Sequence, residues 1–364
     1  MIIKELVTIL DTIAPFFLQE NYDNSGVQFA DLEEKVQRAL LCLDVTGETI
    51  QEATEKKCNV IIAHHPLFFL PLNRITKQNN PIVYQLLYNR LNLIAFHTNF
   101  DLSENGLNDY FGKLLGLKKI DCLEESAEKT LKLAVYVPAQ YHEKLLEALF
   151  QAGAGNIGHY SETSFSASGK GSFKPLEGTK PFIGKTGERK SVLETKIETV
   201  FQERDLNRVI DAIYQNHPYE EPAYDIYHLK TNSKTGIGLL AQLPSGQKLT
   251  DICQKIKDDL GIPYLRVVQT AKQKIGTIAL CTGSGGSLLE QAIQKKADLF
   301  ITGDIKHHEA LRARETGLNI IDIEHFYTER YFVPALKERL VGAGFPKKLL
   351  LASEKMNPPF QLFQ

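Results

Sequence analysis

The chain has no tryptophan, no CxxC pair and almost no excess of charge of either sign. It also has no uninterrupted apolar run of the length that spans a membrane. Each absence excludes something. The five cysteines, Cys42, Cys58, Cys122, Cys253 and Cys281, are scattered. Thiols so spaced build neither a disulfide framework nor a cysteine zinc site, and read as small buried apolar residues in a reducing compartment. A net charge of -2 steers the chain toward neither nucleic acid nor anionic membrane. The opening MIIKELVTILDTIAP has early acidic residues and no small-residue cleavage site. It reads as an amphipathic helix, not a signal peptide, and a cytoplasmic protein is expected. No low-complexity segment or short-period repeat is present.

What is there is ordinary globular material. The 364 residues give room for two or three domains. A hydrophobic share of 43% and a charged share of 24% allow a core without staples. The first part of the chain alternates helix and strand patterns, which predicts a mostly parallel sheet. Helices are expected over Ile3–Ile13, Thr46–Lys56, Ile82–Leu91 and Leu107–Leu115. Strands are expected over Ala39–Leu43, ending at Asp44, over Asn59–Ala63, and over Leu93–Phe96. YDNSG (Tyr22–Gly26) is a turn by composition.

The composition changes after about residue 125. Leu131–Leu229 reads as strand, helix (Tyr141–Ala152), strand (Tyr160–Ser168), a Gly-, Lys- and Pro-rich loop (Gly169–Lys190), strand (Val192–Phe201), helix (Asp205–Asn216) and strand (Ala223–Leu229). Leu145, Leu146, Leu149 and Phe150 share one face of the first helix, and Leu206, Val209, Ile210 and Ile213 share one face of the second. The βαββαβ order is that of a ferredoxin-like module. From Gly236 the α/β alternation resumes, with helix Thr250–Leu260, strand Thr277–Cys281, turn TGSGGS (Thr282–Ser287), helix Leu288–Lys295, strand Leu299–Thr302, helix Glu309–Thr316, strand Asn319–Ile323, a long helix to about Val341 and a last strand, Lys348–Leu351. The expected architecture is a discontinuous α/β main domain of two similar halves, 1–125 and 233–364, interrupted by an inserted α+β domain, 126–232.

The chemistry gathers at strand ends. NVIIAHHP (Asn59–Pro66) delivers His64 and His65 off a short apolar strand that Pro66 terminates. Two imidazoles there are costly unless their nitrogens are satisfied, and a divalent metal is the commonest strong reason for such a pair; a hydrogen-bonded loop pair is the plain alternative. Neighbouring side chains leave an extended backbone in opposite directions, which suits two ions better than one. His97, His307, His308 and His325 also lie at or just past the carboxyl ends of predicted strands, the edge at which open α/β sheets bind ligands. In HTNFD, Asp101 follows His97 by four residues and reads as a metal ligand or a cap, with His97 as ligand, orienting group or backbone-satisfied histidine. In HFYTE, His325 and Glu329 are spaced to meet on one helical face, and a carboxylate can bridge two ions. In GDIKHH, Asp304, His307 and His308 read as substrate contacts or proton-transfer groups beside the metals, or as a cap with solvated histidines.

Two further motifs read more weakly. TGSGGS can cradle phosphate through backbone amides, but it lacks the Walker lysine and the last glycine of GxGxxG, so a tight turn is expected. HPYEEPAYD (His217–Asp225) sets Glu220 beside Glu221, as an acidic turn or as a second metal or effector site.

Taken together, AHHP, HTNFD, TGDIKHH and HFYTE, with YDNSG near the start, resemble the Nif-three-like dinuclear metal centre family, many of whose members are called GTP cyclohydrolase I type 2 homologues. The resemblance covers the whole chain. It includes a PII- or CutA-like insert of the longer bacterial members, to which HPYEEPAYD is similar. Where the family often has tryptophan before the DN of YDNSG, this chain has Tyr22. The resemblance implies two divalent ions per subunit held by His64, His65, Asp101, His325 and Glu329, and a toroidal homohexamer. Three imidazoles and two carboxylates without thiolate suit zinc foremost, or Fe, Mn, Co or Ni. Paired ions activate water and clamp a phosphate or carbonyl oxygen. The expected activity is therefore hydrolysis of a nucleotide or another phosphorylated or cyclic-amide compound, with His97, His307 and His308 moving protons. A cyclohydrolase reaction needs water attack on guanine C8, and no guanine pocket is legible. The alternative is a non-catalytic metal-binding regulator whose insert senses a small molecule.

Overall fold

The computed structural model describes residues 1–126, 129–158, 160–230 and 235–360. The chain divides into two compact units, Met1–Ser126 with Ser233–Gln364, and Ala127–Asn232. The expected return to the main domain at 232/233 lies outside the described residues. No helix is long and apolar enough to cross a membrane among the described residues.

The first unit holds two sheets. One has five strands, in spatial order Gly26–Phe29, Asn92–Ala95, Val60–Ala63, Ala39–Cys42 and Leu350–Ala352. All neighbours are parallel except the first pair. Every residue of the three central strands is buried, which is why they read as continuous apolar runs and not as alternation. Cys42 pairs with Ala63, and Ala63 with Ala95. The strands therefore end level, and Asp44, His64 and His97 follow at one edge. The helix Ile3–Ile13 buries Ile3, Leu6, Leu10 and Ile13 along one stripe.

The second sheet has six strands, in order Arg266–Val268, Asn319–Asp322, Leu299–Gly303, Lys274–Ser284, Gly236–Lys248 and Lys118–Glu125. Only the pairs formed by Lys274–Ser284, Leu299–Gly303 and Asn319–Asp322 are parallel. The mostly parallel expectation thus describes the first sheet, while the second is mixed. Sequence reading passes over Gly26–Phe29, Lys118–Glu125, Gly236–Lys248 and Arg266–Val268. All but Gly236–Lys248 are edge strands, whose exposed and charged residues give no clean period, while Gly236–Lys248 lies between Lys274–Ser284 and Lys118–Glu125. Leu350–Ala352 crosses back to pair with Ala39–Leu41, so the end of the chain completes the sheet its beginning started.

The second unit runs strand Thr130–Pro138, helix His142–Gln151, strands Ser164–Phe173 and Lys190–Gln202, helix Leu206–Asn216 and strand Tyr224–His228. Its antiparallel sheet has the order Ser164–Phe173, Lys190–Gln202, Thr130–Pro138, Tyr224–His228. Leu145, Leu149, Val209 and Ile213 fill its core. One strand departs from expectation. It begins at Ser164 and runs through Gly169–Phe173, read above as loop, because each residue pairs with one of Lys190–Thr199. Local composition does not reveal a partner 17 to 35 residues away.

Candidate metal centre

His64 and His65 follow the strand Val60–Ala63, and their backbone N–H groups still donate to the carbonyls of Cys42 and Leu43, at 3.1 and 3.0 Å. The pair is therefore pinned to the neighbouring strand although Pro66 ends the ladder. His64 is fully buried, and its Nδ1 lies 3.1 Å from the Phe96 carbonyl. A carbonyl can only accept, so Nδ1 carries the proton and Nε2 presents a bare lone pair. That Nε2 has no hydrogen-bond partner among the described residues.

The other three histidines repeat the pattern with a carboxylate. Nδ1 of His65 is 2.8 Å from Asp44, Nδ1 of His97 is 2.8 Å from Asp23, and Nδ1 of His325 is 2.8 Å from Asp304. Such partners fix tautomer and ring orientation and leave Nε2 for a cation. Nε2 of His65 and Nε2 of His325 are 3.3 Å apart. They lie 2.9 and 2.7 Å from Oε2 of Glu329, while Oε1 of Glu329 is 3.7 Å from Nε2 of His64. Asp101 Oδ2 stands 3.9 Å from the same His64 nitrogen. Oε2 of Glu329 and Oδ1 of Asp101 are buried without a hydrogen-bond partner of proper geometry among the described residues. Buried polar atoms left this way call for an explanation, and a bound ion supplies one. Two groups have ligand atoms close enough for one ion each, His64 with His65 and His97, and His65 with His325 and Glu329.

The protonation of the metal-free cluster follows the same logic. Burial works against charge on His65, yet Asp44 and Glu329 hold its pKa up to about 10. Burial likewise opposes charge on His325, and Glu329 with Asp304 raises its pKa to about 9. His64, with burial dominant, falls to about 4. Burial and the Glu329 charge push Asp101 well above the usual carboxylate range. Burial would raise Glu329 too, but His64, His325 and His65 hold it well below. Without a cation, protons collect on His65, His325 and Asp101, while His64 stays neutral and Glu329 ionised.

Local structure explains the placement. Asp101 sits four residues after His97 at the start of the one-turn helix Thr98–Leu102. Asp23 clamps that turn. It accepts from His97, from the amide and hydroxyl of Thr98, and from Ser25. Burial would raise the Asp23 carboxyl, but these bonds hold it well below the usual range. His325 and Glu329 open and close the one-turn helix His325–Glu329. Thr328 ties that helix to the second sheet by accepting from the Gly283 amide at 2.8 Å. Asp304 and Glu324 both adopt positive φ, 57° and 66°, where the chain leaves the strands Leu299–Gly303 and Asn319–Asp322. Non-glycine residues held there are strained, and such strain gathers at functional sites.

Several sequence readings change in the structure. His97 lies in a group with His64 and His65 and not merely beside the cluster, while Asp101 stands just outside both groups. His307 and His308 open the helix His307–Thr316, both exposed, with rings 5.4 Å apart and edge-on, and neither is in these two groups. Asp304 orients His325. Half of the TGSGGS amides are already committed within the protein. The amides of Thr282, Gly283 and Gly285 already donate to Asn108, Thr328 and Thr302. Glu220 and Glu221 join no potential metal group among the described residues. Sequence reasoning missed Asp23 and Asp44 as histidine holders. The available signal was their place, since Asp44 ends a strand at the same edge as His64 and Asp23 sits in YDNSG.

Fold and site define an α/β protein with a His/Glu cluster at its sheet edges whose ligand atoms could hold a metal ion. The family model for Duf34/NIF3 (NGG1p interacting factor 3) matches residues 1–357, and the chain belongs to that family. It is 38% identical over 364 residues, 98% of each chain, to a Halalkalibacterium halodurans protein named GTP cyclohydrolase 1 type 2 homolog. Among solved structures, a Staphylococcus aureus protein matches with 33% identity and a TM-score of 0.81, covering 100% of this chain and 99% of that one. A Bacillus cereus protein related to NIF3 matches with 34% identity and a TM-score of 0.76 over the same shares.

Proposed function

We propose that the chain is a hydrolase built on two divalent ions, zinc foremost. One observation carries this reading. Four imidazoles have Nδ1 engaged by an acceptor, and Glu329 stands among their Nε2 atoms with one oxygen toward His64 and the other toward His65 and His325. His64, Asp101 and Oε1 of Glu329 would hold one ion, and His65, His325 and Oε2 the other. His97 lies close enough to the first to complete it. The orphaned atoms of His64, Asp101 and Glu329 fit that demand. When bound, the ions supply an acidified water and a clamp for a phosphate or carbonyl oxygen.

The protein's own work is orientation. Asp23, Asp44 and Asp304 keep three imidazoles in the tautomer that presents Nε2. His97, held by Nδ1 on Asp23, would present Nε2 to the first ion and so serve as a ligand and not as a proton carrier. The reading gives His307 and His308 no proton transfer. The substrate class is a nucleotide or another phosphorylated or cyclic-amide compound. The relatives' name suggests guanine-ring opening as one form. The family resemblance also supports a homohexamer, for which exposed Phe69, Leu70 and Ile75 offer apolar surface.

The test is metal analysis of protein purified without chelator, with turnover measured on a panel of nucleotides, phosphoesters and cyclic amides. Glu329→Gln should lose metal and turnover together. A metal content near zero in the unaltered chain overturns the proposal, and so does turnover that survives in the metal-free variant.

A further inference from the structure

The second unit contains a cavity of about 460 Å³. This is within the range that encloses small molecules. Its walls come from the motif HPYEEPAYD and from the segment after the strand Ser164–Phe173. The motif is rigidly seated. His217 is buried, its Nε2 donates to the Tyr136 carbonyl at 2.9 Å, and its Nδ1 accepts the Tyr219 amide at 3.0 Å. The Tyr219 hydroxyl donates to Glu194 at 3.0 Å. Glu194 lies in a notch that exists because residue 171 is glycine, since a Cβ there would sit 1.9 Å from its carboxylate. Glu220 accepts the Lys180 amide at 3.1 Å and so ties the covering segment down.

The lining has a definite chemistry. The rings of Phe173 and Phe182 stand 5.7 and 6.3 Å from Tyr219, inclined to it by 57° and 48°. Three carboxylates, Glu194, Glu220 and Glu221, share the lining with a single cation, Lys174. The Tyr219 proton is already given to Glu194. The cavity thus offers aromatic surface and acceptors, with a net negative charge. Anions such as phosphate are disfavoured there, and a cation with an apolar body is favoured by both ring quadrupole and charge.

We propose that this cavity binds a small organic cation of the alkylammonium or guanidinium class. The site is separate from the metal centre and does not depend on the hydrolase reading. Isothermal titration of the full chain with choline and with agmatine tests it, with 3,3-dimethyl-1-butanol as the neutral match for choline. Both cations should bind saturably, and choline about tenfold or more tighter than its neutral match. Phe182→Ala and Glu194→Gln should each weaken binding about tenfold. Phe182 is 50% exposed, so its truncation leaves folding intact, which a thermal melt checks. Binding should persist in Glu329→Gln, which separates this site from the metals. No heat with either cation at millimolar concentration overturns the proposal. Equal binding of the neutral alcohol, or unchanged binding by a folded Phe182→Ala chain, does so too.

Discussion

A methyl group at position 283 would lie 2.0 Å from Oε1 of Glu329. Gly283 also has φ +68°, where a side chain is strained. One residue thus meets two demands, a left-handed turn at the end of the strand and empty space for the Glu329 carboxylate. Gly283→Ala should therefore cost about 1–2 kcal/mol of backbone strain. It should also displace Glu329 and weaken metal binding about ten- to a hundredfold, as loss of a ligand's support does. Competition with a chelating dye reads the affinity, and an unchanged value would refute the role assigned to this glycine. The glycines of TGSGGS are visible in the sequence. Their use is not, because it depends on a carboxylate forty-six residues further on.

At the scale of elements, the carboxylates Asp101 and Glu329 ride on helices of five residues each. Helices so short do not form alone. They stand because Asp23 clamps one and the Gly283–Thr328 bond ties the other. A related clamp joins the helix Gly47–Glu55 to the chain's last strand. Buried Glu52 accepts from Lys56 at 2.8 Å, from Ser353 at 2.5 Å and from the Glu354 amide at 2.9 Å. Burial alone would raise its pKa, but these donors outweigh it and hold the group below its ordinary 4.5. A depressed carboxylate contributes stability that is present above the unfolded pKa and lost as pH falls through the folded one. Glu52→Gln should cost about 1–3 kcal/mol at neutral pH. It should also remove part of the stability loss below about pH 4.5. Urea unfolding across a pH series checks both, and parallel curves for the two proteins would contradict the assignment.

At the scale of the molecule, the centre draws on strand ends of both sheets of the first unit and on none of the second. A bound ion therefore stabilises one unit by mass action and leaves the other unaffected. At free metal about a hundred times the dissociation constant, the gain is about 2.7 kcal/mol. For a unit of this size that shifts Tm by several degrees. Calorimetry of chelator-stripped and metal-loaded protein should move the transition of the first unit and leave that of the second in place. A shift of both together, or of neither, would contradict this division.

The sequence by itself determined the parallel strands, the helices between them and the residues at their ends, because continuous apolar runs and helical spacing are local signals. It also carried the family motifs, hence His64, His65, Asp101, His325 and Glu329 as a set. Tertiary structure alone decided the rest. Strand register brought Asp44, His64 and His97 to one level. Partners 21, 74 and 21 residues away along the chain supplied the carboxylates that turn three imidazoles inward. Hydrogen bonds and level strand ends are made between segments distant along the chain, and no window of sequence contains both partners.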